Sequence, residues 1–111
     1  MGSPLRAMEQ ALLIGWTTVG SEAAAEQLAQ ALVEAGLAAC VQIEAGLVSH
    51  YQWEGKHCRE SEWRLTVKFA AAKGEALEAY LMEAHPYETP EWVVVRAEAV
   101  APAYLRWALG E

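Results

Sequence analysis

The sequence predicts an α+β domain whose elements follow the order β-α-β-β-α-β, closed by an extra C-terminal helix. Three observations carry this prediction. Apolar runs of strand length occur at 11–16, on both arms of the segment 39–69 and at 92–95. Two stretches, 21–36 and 74–85, place leucines at near-helical spacing between residues that start and stop helices. A chain of 111 residues that is 54% hydrophobic can fill one two-layer core and no more.

Ala11 to Trp16 is apolar without alternation, as in a strand buried on both faces at the centre of a sheet, and Thr17 and Thr18 end it. Ser21 is placed to cap a helix, with Glu22 favourable in its first turn. Leu28, Leu32 and Ala35 form the buried stripe, widened by Ala24 and Ala31, and Gly36 sits where a left-handed C-terminal cap belongs. Ala39, Val41 and Ile43 then alternate with Cys40, Gln42 and Glu44. After Ala45-Gly46 the residues Leu47, Ser49, Tyr51 and Trp53 resume on the same parity, which reads as one long strand with a bulge at Gly46. Glu54-Gly55-Lys56 supplies a tight turn. On the return arm Trp63, Leu65, Val67 and Phe69 point one way, and Glu62, Arg64, Thr66 and Lys68 the other.

A second helix runs from Gly74 to His85 with Leu77, Leu81 and Ala84 along one side and Tyr80 beside them, and Pro86 stops it. Trp92 to Val95 is a further strand. Pro102 at a first helical position opens a short final helix with Tyr104, Leu105, Ala108 and Leu109 as its apolar side. Right-handed crossovers place both long helices on one face of an antiparallel sheet, a ferredoxin-like sandwich with an overhanging hairpin. Exposed strand edges favour subunits that cover each other in a closed ring. The domain spans 8–111, and residues 1–7 read as an N-terminal extension or an expression scar.

Charge and composition exclude several function classes. A net charge of −7 with no basic cluster argues against nucleic acid, whose binding rests on Lys and Arg neutralising phosphates. The longest apolar run is far too short to cross a bilayer, no signal peptide is visible, and Cys40 and Cys58 do not make a disulfide framework. A cytoplasmic protein with reduced thiols is expected. No motif sets a nucleophile against a base, and the loop expected at 16–20 holds no Arg or Lys to cradle a phosphate. A non-enzymatic role follows.

The chemistry concentrates in His85-Pro86-Tyr87-Glu88-Thr89-Pro90-Glu91, where an imidazole, a phenol and carboxylates are held on a connection that two prolines make rigid. His85 and Cys40 are the candidate metal ligands. For Cys40 a packing role and a ligand role stand side by side. His57 and Cys58 are adjacent on a strand and face opposite sides, whereas His50 can meet His57 across the hairpin if the register allows.

Taken in order, Gly36-Leu37-Ala38-Ala39-Cys40-Val41, Tyr51-Gln52-Trp53-Glu54-Gly55-Lys56, Glu62, Lys68, His85 to Glu91 and Tyr104-Leu105-Arg106-Trp107 resemble the CutA family of divalent-cation tolerance proteins. The resemblance implies a ferredoxin-like subunit, a homotrimer joined through the long hairpins, and a role in tolerance of copper and other divalent cations. It also implies that Tyr51, Trp53, Lys68, His85, Tyr87, Glu88 and Glu91 gather around clefts between subunits. Such clefts suit weakly bound Cu2+, another divalent cation or a small charged metabolite, with no tightly held cofactor. The second of these readings is a trimeric small-molecule signalling module resembling the nitrogen-regulatory proteins. Three departures bear on this: Trp16 stands where some members have Cys, Ala84 where some have a first His, and Ala45 where a Pro usually precedes the bulge glycine.

Overall fold

The computed structural model describes residues 11–111, so the expected boundary at residue 8 and the extension over 1–7 lie outside the described residues. The elements are β1 (Leu12–Val19), α1 (Glu22–Glu34), β2 (Cys40–Trp53), β3 (Lys56–Ala70), α2 (Gly74–Ala84, entered through a 3-10 turn at Ala71–Lys73), β4 (Val93–Arg96) and α3 (Pro102–Ala108). The sheet order is β2-β3-β1-β4 and every neighbouring pair is antiparallel. This is the expected β-α-β-β-α-β order with an added helix.

Register explains the core. Leu13, Gly15, Thr17 and Val19 of β1 stand opposite Phe69, Val67, Leu65 and Trp63 of β3, and opposed residues share a face. Onto that face α1 lays Ala25, Leu28 and Leu32, and α2 lays Leu77 and Leu81. Leu32, Leu65, Leu77 and Leu81 have no exposed surface, and each such burial contributes about 1.5–3 kcal/mol.

Local chemistry sets the ends of α1. The Ser21 hydroxyl accepts the Ala24 N–H at 3.1 Å. At the other end Gly36 adopts φ +73°, so that its N–H reaches the Val33 carbonyl and the Leu37 N–H reaches the Leu32 carbonyl. That is a Schellman motif, and it ties off two carbonyls that the helix cannot satisfy itself.

Four expectations are corrected. β1 does not end at Thr17 but runs to Val19, with Thr17 and Thr18 both buried, so the connection to α1 shrinks to Gly20 and Ser21. The reason is a distant partner for the Thr17 hydroxyl, described below. α2 ends at Ala84 rather than His85, which is extended at φ −68° and ψ 135° as the residue before a proline must be. β4 begins at Val93, because Trp92 turns inward instead: its ring stacks on Phe69 at 5.9 Å between centroids and occupies the space a Cβ on Gly15 would need.

The fourth correction concerns the hairpin. Glu44 opposes Arg64 but Leu47 opposes Glu62, so one extra residue is inserted in β2 at the expected bulge, where Gly46 has φ +78°. An inserted residue reverses the faces. Ile43 shares the helix-covered face with Leu65, whereas Leu47, Ser49, Tyr51 and Trp53, although of the same numerical parity, share the opposite face with Glu62.

The pairing of β1 with β3 stops at Val19 and Trp63, leaving Lys56 to Glu62 paired with β2 alone. At roughly 3.3 Å per residue this two-stranded arm projects about 20 Å beyond the sheet. The radius of gyration is accordingly 15.3 Å, with extents of 52 × 27 × 24 Å. A compact domain of this length would have a radius near ~13 Å.

Candidate functional site

The site is assembled where the arm leaves the sheet and the connection from α2 to β4 crosses it. His85 anchors that connection. The Tyr87 N–H donates to its Nδ1 at 3.1 Å, which leaves Nε2 as the protonated nitrogen of the neutral ring. The Nε2–H in turn reaches the Thr18 carbonyl at 3.0 Å and the Thr17 Oγ1 at 2.9 Å. These bonds account for the burial of both threonines and for the extra length of β1. Burial holds the His85 imidazole below the usual histidine range, opposed in part by the bond to the Thr18 carbonyl and by the charge of Glu62.

Tyr87 follows with its ring tilted against His85 at 5.0 Å between centroids. Its hydroxyl donates to Glu62 Oε2 at 2.8 Å. Burial, then the bond and charge of Glu62, push the phenol well above the ordinary tyrosine range. Gly20 makes the approach possible, since a Cβ there would stand 3.2 Å from the Tyr87 hydroxyl.

Between the arm and this connection lies an open cleft of about 710 Å³. Tyr51, Trp53, Glu60 and Glu62 line it from the hairpin, and Tyr87, Glu88 and Glu91 from the connection. Four carboxylates therefore face one space, and among the described residues no Lys or Arg lines it. Burial, and after it the charge of Glu62, raise the Glu91 carboxyl from its ordinary value, with Arg64 acting the other way.

Of the residues singled out in the sequence, Tyr51, Trp53, Tyr87, Glu88 and Glu91 come together. His85 lies behind Tyr87, buried, and does not line the cleft. Lys68 is elsewhere within the chain: it opposes Cys40 and Ile14 in the sheet, and its ammonium donates to the Tyr104 hydroxyl at 3.4 Å and lies 5.4 Å from that ring's centroid. Cys40, level with Ile14 and two strands from β1, is separated from the His85 contacts at Thr17 and Thr18 by roughly 10 Å or more. One metal ion cannot take both as ligands. His85 would also have to surrender the Tyr87 N–H bond to offer Nδ1 to a metal. Among the described residues no three His, Cys, Asp or Glu side chains converge as a metal-binding set.

Glu60 is not singled out in the sequence, and Glu62 stands there only as a position matching the family, not as part of the cleft. Simple alternation put Glu62 on a solvent face, yet it is only 7% exposed because the Tyr87 connection lies over it. The signal that could have found it is the bulge, which turns Tyr51 and Trp53 to the side of Glu62.

A family model described as CutA1 divalent ion tolerance protein matches residues 13–111. The divalent-cation tolerance protein CutA of Pectobacterium atrosepticum is 39% identical over 90 residues, which cover 81% of this chain and 82% of that one. The protein of the same name from Thermus thermophilus is 40% identical over 100 residues, 90% of this chain and 94% of its own. The chain spans 64% and 52% of its longer relatives from Xenopus laevis and Mus musculus. A solved structure of CutA from Synechococcus elongatus, complexed with a Bis-Tris molecule, has a TM-score of 0.82 and 42% identity, covering 88% of this chain and 90% of that one.

Proposed function

The chain belongs to the CutA1 divalent ion tolerance family, and we propose that it serves divalent-cation (copper) tolerance or the response to metal ions as a non-enzymatic, cytoplasmic homotrimer that binds cations weakly. One observation carries this reading: Glu60, Glu62, Glu88 and Glu91 line a single cleft with no Lys or Arg among its described lining residues. Carboxylates crowded in this way repel one another, and a bound cation relieves the repulsion while an anion adds to it. Oxygen ligands on an open surface exchange their cation readily, so the binding is weak.

The groups best placed for acid–base work are already committed, His85 through both ring nitrogens and Tyr87 through its bond to Glu62. This supports a binding role over a catalytic one. The trimer is supported by the apolar side chains left exposed on edge strands, Val93, Val94 and Val95 of β4 and Tyr51 and Trp53 of β2.

A second reading, a signalling module for a small metabolite like the nitrogen-regulatory proteins, is favoured by the aromatic walls. Tyr51 and Trp53 can hold an organic cation over their faces, and a relative has been solved with Bis-Tris bound. Among charged metabolites, the acidic lining favours a cationic one.

Calorimetric titration of Cu2+, Zn2+ and Mg2+ into the wild type, Glu88→Gln/Glu91→Gln and His85→Ala tests the first reading. Weak binding that falls in the double carboxamide variant and persists in His85→Ala is expected. If no divalent cation binds, the tolerance reading through this cleft fails. A thermal-shift panel of amines decides the second reading, which is lost if none raises the melting temperature. Light scattering that finds a monomer overturns the trimer.

A further inference from the structure

We propose that His50 and His57 form a separate, nitrogen-donor site for a borderline divalent cation, Cu2+ above all, on the overhanging hairpin. The register sets it up. His50 opposes Arg59 and Gln52 opposes His57, so the two histidines are diagonal neighbours on one face of the arm. Their Nδ1 and Nε2 atoms are 2.8 Å apart, with the rings edge to face at 77°. Two nitrogens hydrogen-bonded at that distance require one of them to be bare, so a lone pair is already aimed across the strands.

The spacing is that of a chelate. With metal–nitrogen bonds of about 2.0–2.1 Å, two nitrogens at right angles around a metal lie about 2.9 Å apart. The histidines therefore need no separation, only rotation about χ2, a soft torsion for exposed rings. On binding, the donor ring carries its proton on its other nitrogen instead, so each ring presents a lone pair to the metal.

Ligand type selects the ion. Paired imidazoles suit Cu2+, Ni2+ and Zn2+, and the affinity order places Cu2+ first. Cys58 opposes Tyr51 and so faces the other side of the arm, which withholds the thiolate that would favour Cu+. Arg59, on the histidine face, opposes any cation there, and water completes the coordination. The site is consequently bidentate and of moderate affinity. It goes beyond the carboxylate cleft, which Tyr51 and Glu60 line from the reverse face of the same arm.

The test is a titration of copper(II) chloride at neutral pH into the full chain, read by calorimetry and by electron paramagnetic resonance. It compares the wild type, His50→Gln, His57→Gln and Glu88→Gln/Glu91→Gln. Both histidines are exposed, so the variants are expected to fold, which circular dichroism checks. Either histidine variant should weaken the tightest Cu2+ event at least as much as loss of an outer-shell partner does, about tenfold. It should also lose the two-nitrogen splitting, and the carboxamide variant should retain both. Unchanged affinity and spectrum in His50→Gln and His57→Gln overturn the site, and if the carboxamide variant alone loses binding, the cleft reading survives without it. A wild type that shows no nitrogen splitting also overturns the site.

Discussion

Replacing Gly15 with alanine inserts a methyl group where the Trp92 ring already stands. The added Cβ would lie 2.2, 2.6 and 2.8 Å from three atoms of that ring. Carbon atoms in contact rest about 3.5–4.0 Å apart, so the indole must retreat by more than about 1 Å. It is stacked on the buried Phe69 and cannot slide freely. Forcing an extra carbon into such a core costs about 1–3 kcal/mol. Removing a glycine from a strand returns about 0.5–1 kcal/mol. Taking the middle of each range, the predicted net loss is about 1 kcal/mol. Urea unfolding followed by circular dichroism measures it, at one fixed protein concentration because subunit association shifts the midpoint. Trp92→Leu removes the obstacle, so Gly15→Ala on that background should be neutral or slightly stabilising, a coupling of at least about 1 kcal/mol. A wild-type midpoint in Gly15→Ala, or an equal cost in both backgrounds, refutes the reasoning. Trp92 directly follows Glu91, so the same variant should also weaken cation binding in the cleft.

Three further outcomes follow from the geometry. Tyr87→Phe removes the phenol that donates to the buried Glu62; hydrogen bonds to charged groups contribute about 1.5–3 kcal/mol and the cleft is open, so a loss near the lower figure is expected, and an unshifted melting temperature contradicts it. His85 has a lowered folded value against an unfolded one near ~6.5, so the unfolded chain takes up a proton that the folded chain resists, and stability present above that pH declines as pH falls below it. His85→Asn should flatten this slope in unfolding measured across mildly acidic pH, and an identical slope would discount the buried imidazole. Gly36→Ala places a Cβ on a residue at φ +73°, which costs about 1–2 kcal/mol, and chemical unfolding at the wild-type midpoint would show that the cap is unimportant.

What could be read from the sequence was local. Ser21, Gly36, Gly46 and Glu54-Gly55 each carry their conformation in their own chemistry, and each stands where capping and turn rules place it. What escaped was decided by partners far along the chain. Thr17 and Thr18 read as a strand end because they are polar, but His85, 68 and 67 residues away, satisfies one hydroxyl and one carbonyl and lets the strand continue. His85 reads as a candidate ligand by residue type and by the resemblance; its Nδ1 is engaged locally by the Tyr87 N–H, and its Nε2 by the distant Thr17 and Thr18. The resemblance groups Lys68 with a cleft between subunits; within one chain the register places it level with Cys40, away from the arm.

The inserted residue at Ala45-Gly46 acts on the hairpin as a frameshift acts on a reading frame. Before it, odd-numbered residues of β2 answer to the helices; after it, odd-numbered residues answer to the cleft, while the even-numbered His50 sits on the reverse face with His57 of β3. One strand thus encodes two messages that do not share letters. Substitutions at the tip can revise what the arm binds without touching what the base packs against, so binding and folding are free to diverge within the same fourteen-residue strand.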